Sequence, residues 1–399
     1  MAAAVIAGCG STSTTSSSPT TSTSATPSSS TTATADGVAA AGSVAALAQA
    51  FYQTLTDDQK PTVLLDYTLD SAKRWSNLPQ GLLAGGMGGG AGAGGRPSGA
   101  SGQPSGMPSG EPGGDGSGAP GGGAGGGSGS RVGIALADLN AEQLAAFTPL
   151  LKAATGTTAG LGYEEIEWQL AADDYLGANG GGDTYGRGQF YVALLGSPQD
   201  TGTWEFQFGG HHLAVANTYT DGKLAGATPA FRGVEPNTDF EQDGTSYPAP
   251  LKVKEAAFQA LLASLSTDQQ TSAKLSDTFT DLVLGPGQDW AFPTTKDGVQ
   301  VSTLTADQKK LVLAAIATYV NDIADADAKT ILARYQSELD DTYLAYSGTT
   351  ALTEQNDYVR VDGPSVWIEF SMQHGIVLSG NHPHSVWRDR TTDYGGTKS

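Results

Sequence analysis

Hydrophobic positions in this chain follow two periods, and the switch between them separates helices from strands. Four times a leucine is followed at once by a capping residue, with glutamine three places further on: Leu55-Thr56…Gln59, Leu139-Asn140…Gln143, Leu265-Ser266…Gln269 and Leu304-Thr305…Gln308. A Ser, Thr or Asn side chain at such a position accepts from the backbone three residues on, and the glutamine reaches back, so each segment predicts a helix start with a leucine staple before it. Leu144, Phe147, Leu150 and Leu151 follow the second segment at helical spacing; Leu311, Leu313, Ile316, Tyr319 and Val320 follow the fourth. Helical runs over Val44–Tyr52 and Glu255–Leu265 precede the first and third. Helix–turn–helix units therefore recur, at spacings too irregular for a solenoid.

Elsewhere the period falls to two. Trp204, Phe206 and Phe208 alternate with Glu205 and Gln207, which predicts a strand with two unlike faces. Gly209-Gly210 breaks the alternation and reads as a bulge, after which Leu213, Val215 and Asn217 resume the strand toward Tyr219. Tyr358–Val361, Asp362-Gly363 and Ser365–Phe370 have the form of a hairpin, and a third strand is expected around Ile376–Leu378. The fold class is α+β, an antiparallel sheet surrounded by capped helical hairpins.

Composition removes part of the chain from this picture. Residues 10–36 are mostly Ser, Thr, Ala and Pro, and residues 84–130 are about half glycine. Neither stretch carries the apolar surface needed to offset chain entropy. A disordered tether and a disordered Gly-rich insertion are expected, the second interrupting a single α+β domain over 37–396. About 320 residues are left to fold, enough for a sizeable core. Ile6-Ala7-Gly8-Cys9 matches a lipobox, so residues 1–9 read as a truncated lipoprotein signal with Cys9 as the lipidation site. With the tether behind it, that motif places the protein on the extracellular face of a bacterial cell membrane by a lipid anchor, or secreted. Cys9 is the only cysteine, which rules out an intramolecular disulfide. The net charge of −20, with no run of Lys or Arg, argues against a nucleic-acid partner. Nothing in the pattern sets an oligomeric state.

Candidate chemistry concentrates in the histidines. All five fall in two windows, His211-His212 and His374…His382-Pro383-His384. On an extended segment the one-residue spacing of His382 and His384 puts both rings on one face, within reach of one ion. Pro383 favours extended backbone at His382. His374 can join across a turn, while His211 and His212 point to opposite sides if extended, so one of them is expected to contribute. A shared site binding Zn, Cu or Fe follows as the sharper reading, with Glu205 and Glu369 as candidate carboxylates for ligation or general-base work. Structural roles in a turn and a loop are the alternative for the same histidines. Arg388, beside Asp389, reads as an internal ion pair first and as an anion anchor or catalytic group second; Arg187 and Arg360 are similar. Ser385 beside His384 lacks a nucleophile elbow, and Gly180-Gly-Gly-Asp183 lacks the strand and Lys-Ser/Thr of a phosphate loop.

Several of these motifs stand in one order. Trp204…Gly210-His211-His212-Leu213, Thr228-Pro229-Ala-Phe231…Gly233…Pro236, Tyr358…Gly363-Pro364…Ile368-Glu369-Phe370 and His382-Pro383-His384-Ser385-Val386-Trp387-Arg388-Asp389…Asp393-Tyr394-Gly395 resemble the bacterial family called domain of unknown function 3500. Trp75…Pro79 and Gly133…Leu139 fit it as well, so the resemblance runs from about Val44 to Gly395, interrupted by the Gly-rich insertion. It implies a secreted or periplasmic protein with one continuous domain, in which the two histidine windows are partners, and it supplies no substrate or cofactor. The expected function is a cell-surface lipoprotein with a His-rich, metal-dependent site of hydrolase or oxidase type. There His211, His212, His382, His384 and His374 serve the metal, and Glu369 and Arg388 support the chemistry. The alternative is a non-enzymatic binding lipoprotein that captures a small molecule or a cell-wall component on Trp204, Trp367 and Trp387.

Overall fold

In the computed structural model, residues 37–80, 83 and 131–398 are described. Cys9, the lipobox, the tether over 10–36 and the insertion over 84–130 lie outside them. The larger helices are α1 (Val44–Gln53), α2 (Ala141–Thr155), α3 (Gly162–Leu176), α4 (Lys252–Ala263), α5 (Thr267–Ala273), α6 (Ala306–Val320) and α7 (Asp325–Ser337). The strands are β1 (Leu64–Leu65), β2 (Ile134–Ala135), β3 (Tyr191–Leu195), β4 (Thr203–Gly210), β5 (Leu213–Thr220), β6 (Lys223–Gly226), β7 (Ala230–Gly233), β8 (Phe240–Gln242), β9 (Thr245–Tyr247), β10 (Val299–Gln300), β11 (Tyr343–Ser347), β12 (Tyr358–Asp362), β13 (Val366–His374) and β14 (Asn381–Asp389). All but β8 and β9 join one sheet, whose main path runs β1-β3-β4-β5-β7-β14-β13-β12-β11-β10. Its pairings are antiparallel apart from the short β1–β3 contact.

The α+β class holds, with one correction to its layering. The helices do not surround the sheet; they cover one face. Phe51, Phe147, Leu150, Ile166 and Leu170 pack on Val192, Leu194, Phe206, Phe208, Leu213 and Val215. Phe258, Leu261, Val312, Ile316 and Tyr335 pack on Val359, Val361, Ile368, Phe370 and Trp387. Strand alternation places all these sheet residues on the same side. The opposite face carries Ala193, Leu195, Ala214, Phe231 and Val386, and it is covered by a one-turn helix over Leu69–Ala72 together with irregular segments that supply Trp75, Val132, Leu282 and Tyr394.

The strand order also reads the same from both ends, because the chain contains one architecture twice. α1 with the Thr56 box, β2, α2, α3 and β3-β4-β5-β7 are matched by α4 with the Ser266 box, β10, α6, α7 and β11-β12-β13-β14. The halves meet across the antiparallel β7–β14 pair, as a twofold axis between those strands would place them. Equivalence extends to side chains. Gln143 Nε2 donates to Thr54 O at 3.1 Å and Gln59 Oε1 at 2.7 Å; Gln308 Nε2 donates to Ser264 O and Gln269 Oε1, both at 2.8 Å. The four capping boxes are thus bonded to one another in pairs. Gly133 (φ +97°) and Gly298 (φ +105°) press against β3 and β11, where an added Cβ would come within 2.2 Å of Val192 O and 2.3 Å of Leu344 O. Between the halves lies a buried charge network: Lys254 Nζ sits 2.5 Å from Glu165 Oε2 and 3.1 Å from Asp322 Oδ2, with Arg232 Nε 3.2 Å from Glu165 Oε1.

Two strand expectations change. Gly209-Gly210 is not a bulge: the register from Thr203↔Thr220 to Gly210↔Leu213 is unbroken, and His211-His212 forms the hairpin turn with His212 at φ +60°. Ile376–Leu378 is not a strand either. Gly375 N donates to Gly380 O at 2.6 Å, closing a loop there, and the third strand begins at Asn381 and carries both histidines of the His-Pro-His motif.

Candidate metal centre

The hairpin turn of the first half brings His212 to the start of β14. Its backbone is held on both sides, with His212 N donating to Asn77 O at 3.0 Å and Gly233 N donating to His212 O at 2.7 Å. Gly233 also makes room for the ring, since an added Cβ would lie 3.1 Å from His212 Cγ. On β14, His382 and His384 share the sheet face opposite the helices, as their spacing predicts, and His384 pairs with Gly233 across β7. His384 Nε2 lies 3.1 Å from His212 Nε2 and 3.3 Å from His382 Nε2. One ligand atom from each of the three falls within 4.8 Å of the others. All three residues are buried.

These distances suit a cation. Four nitrogens bound tetrahedrally at about 2.0–2.1 Å stand roughly 3.3–3.4 Å apart. Asp281 Oδ1 lies 3.0 Å from His384 Nδ1, and a carboxylate there fixes the proton on Nδ1 and turns the Nε2 lone pair toward the cluster. Burial raises the Asp281 carboxyl, but the His384 ring and the Leu282 amide outweigh it and hold the group below its ordinary value. A neutral imidazole Nε2 can accept one hydrogen bond, so three converging ring nitrogens cannot satisfy one another, whereas one cation satisfies all three. His212 Nδ1 and His382 Nδ1 are buried without a protein partner. Burial first, then the neighbouring imidazoles, lower His212 well below its ordinary value and bring His382 down to about 2. Both rings are therefore neutral, the state in which imidazole binds metal.

The other predicted residues separate from this cluster. His211 stacks on His212 with ring centroids 3.7 Å apart, but its Nδ1 is engaged 2.6 Å from Asp173 Oδ1, and Tyr185 meets its ring edge-on at 4.8 Å. Of the adjacent pair His212 joins the cluster and His211 turns away, the two lying together in the hairpin turn. His374 is exposed at the end of β13, paired with Asn381, outside the cluster. Glu369 lies outside the three-histidine group and is occupied by four donors. Its oxygens accept from Val283 N, Leu284 N, Tyr358 OH and Trp367 Nε1 at 2.6–2.8 Å, which anchors the covering segment and occupies the carboxylate. Burial, opposed by those donors, raises its pKa. Glu205 is likewise enclosed, accepting from Gln207 Nε2 and Thr218 Oγ1, and burial pushes it up to about 7.

Arg388 does not pair with Asp389, because strand neighbours face opposite ways. It is fully buried, with Nε 2.7 Å from Asp393 Oδ2 and Nη2 3.1 Å from Asp289 Oδ1, while Asp389 bonds Arg334 and Tyr335 on the helical side. Arg388 is thus engaged with Asp393 and Asp289. Arg187 pairs with Asp174 and Arg360 with Asp297. Trp204, Trp367 and Trp387 are core residues, at most 1 % exposed, and offer no binding platform. Sequence reasoning missed Asp281 and Asp173. Each lies in a segment without a local motif, and only the fold brings it to the histidines.

A family model described as "Protein of unknown function (DUF3500)" matches residues 128–396. The match takes in both histidine windows and leaves α1 outside, so it is shorter than the span from Val44 that the motifs suggested. No curated protein and no solved structure matches the chain.

Proposed function

The chain belongs to the DUF3500 family, whose description assigns no reaction, and we propose from the site itself that it is a metalloprotein in which His212, His382 and His384 hold one divalent cation for hydrolytic chemistry. The convergence of three ring nitrogens, of which His384 Nε2 can accept from only one of the other two, carries this reading. Zinc fits best: the donors are all imidazole, two of the three spacings match a tetrahedral edge, and a carboxylate behind one ring is the usual outer partner of a zinc-bound histidine. A non-haem iron site would want a carboxylate among the donors, and Asp281 sits behind His384 instead. Copper accepts the same donors and is the remaining route to an oxidase.

Zinc with three protein ligands supplies a bound water acidic enough to ionise near neutral pH. The protein's part is to orient. Asp281 holds the His384 tautomer, Gly233 and Asn77 hold the His212 turn, and the 28 % exposed Asp281 side chain marks the side on which water reaches the centre. Asp173 fixes His211 through Nδ1 and leaves its Nε2 for a hydrogen bond beside the ligand ring. Elemental analysis of protein purified without a histidine tag tests the reading. About one zinc per chain is expected, with a cobalt-substituted form whose visible spectrum disappears in His382→Ala. Absence of bound Zn, Cu or Fe, with no rise in melting temperature when they are added, would overturn it.

Anchoring through Cys9 is the second half of this proposal, supported by Ile6-Ala7-Gly8-Cys9 and the Ser/Thr-rich tether that follows. Labelled palmitate should enter the wild-type chain in bacterial cells and not Cys9→Ser; equal labelling of both would remove the anchor.

A further inference from the structure

Beneath their hairpin turns the two halves differ in a way that points to a ligand. In the second half, Lys296 Nζ lies 2.9 Å from Gly363 O, just before the turn, and 2.7 Å from Asp362 Oδ1. The cation thus holds the turn and has its counter-ion in the adjacent residue. Arg131 is its equivalent. It stands two residues before Gly133 as Lys296 stands two before Gly298, and its Nη2 donates to Gly210 O at 2.6 Å. Where the second half has Asp362 before Gly363, the first half has Gly209 before Gly210. Arg131 keeps the turn and lacks the carboxylate.

What surrounds Arg131 does not replace that charge. Nη2 also donates to Ser76 O at 2.7 Å and Leu78 O at 2.6 Å, both neutral, and among the described residues no carboxylate pairs with it. Nη1 is buried and has no partner. Burial lowers the group to about 10, against the pull of Tyr191 and Asp173 nearby. A guanidinium removed from water without a counter-ion is costly. Beside it lies a cavity of about 20 Å³, lined by Gly209, Arg131, Arg74, Tyr191, Gln207 and Trp75 among others, with no acidic residue in its wall. The first half has no room to supply the carboxylate itself, since a Cβ on Gly209 would come within 2.5 Å of Leu213 O.

We propose that this cavity binds a small monovalent anion of chloride size between Arg131 and Gly209, on the sheet face where the second half places the Asp362 carboxylate. The enclosed space has room for one particle of about water size or somewhat larger. The site is independent of the metal reading, although the same guanidinium holds the carbonyl next to the histidine turn.

Crystals soaked in bromide test it directly, with an anomalous peak expected within hydrogen-bonding distance of Arg131 Nη1. In solution the intact protein should melt a few degrees higher in sodium chloride than in sodium gluconate at equal ionic strength, because an anion that binds only the folded state stabilises it. Arg131→Met should abolish the difference. A cavity holding only water in the bromide map overturns the proposal, as does a chloride effect of the same size in Arg131→Met. If that variant does not fold, the bromide map of the wild-type protein decides alone.

Discussion

The two halves of this molecule share a scaffold and part company at their hairpin turns. Gly210-His211-His212-Leu213 and Gly363-Pro364-Ser365-Val366 occupy the same position, and each is tied down by a cation to the first glycine and by an amide to the fourth position's predecessor. Gly233 N donates to His212 O at 2.7 Å, and Arg390 N donates to Ser365 O at 2.9 Å. A carboxylate also stands behind each turn, Asp173 of α3 on His211 and Glu338, just past the end of α7, on Ser365. What the second half lacks is the chemistry: serine stands for histidine, and Arg390 for the Gly233 that gives the ring its space. The fold therefore builds the turn for structural reasons, and the histidine cluster is an addition to one copy of it.

That contrast can be broken in several ways. The largest effect is expected from the ligands. His382→Ala or His384→Ala should lower zinc affinity by more than about 100-fold in a chelator competition, whereas Ser365→His should leave the stoichiometry at one per chain. A second zinc in Ser365→His would mean that the scaffold alone suffices. Next comes Glu205, held neutral by burial and raised to about 7 from 4.5. A carboxyl with a raised folded pKa contributes stability that is complete below pH 4.5 and falls as pH climbs to about 7. Urea titrations should show a loss on the order of 3 kcal/mol across that window, absent in Glu205→Gln. Identical slopes for the two proteins would show the carboxyl to be ionised. Asp281→Asn should weaken zinc binding by about 10–100-fold with little change in melting temperature. Gln143→Ala and Gln308→Ala should each lose about 1–2 kcal/mol, by similar amounts, since each removes the same pair of bonds; strongly unequal losses would break the equivalence of the halves. Smallest is Gly233→Ala, which should displace the His212 ring and cost a few-fold in zinc affinity, provided β7 can yield by a few tenths of an ångström.

The helices and the histidine spacing were legible because they rest on local rules. Capping boxes announce themselves within four residues, and the His-x-His face follows from strand geometry alone. The duplication was half visible, as four similar boxes, yet their pairing through Gln59–Gln143 and Gln269–Gln308 depends on contacts 84 and 39 residues apart. Asp281 reaches His384 across 103 residues, and nothing beside it in sequence distinguishes it from other acidic residues. Glu369 and Arg388 stand apart from the cluster for the opposite reason. Charged residues near a motif suggest function, but here each is surrounded by partners that hold the covering segments onto the sheet. The glycine pair before the histidines was taken for an interruption because the sequence does not show that the next two residues reverse the chain.

Strand β14 follows every other strand in chain order, yet it lies in the middle of the sheet, between β7 and β13. During synthesis the first half can complete its own strands while β7 waits as an open edge, and the later hairpin forms beside a gap. Only when β14 emerges does the gap fill, joining residues some 150 positions apart and delivering two of the three imidazoles with the same stroke. Assembly of the histidine cluster is thereby tied to the arrival of β14, and a nascent chain that lacks this strand cannot bring the three rings together early.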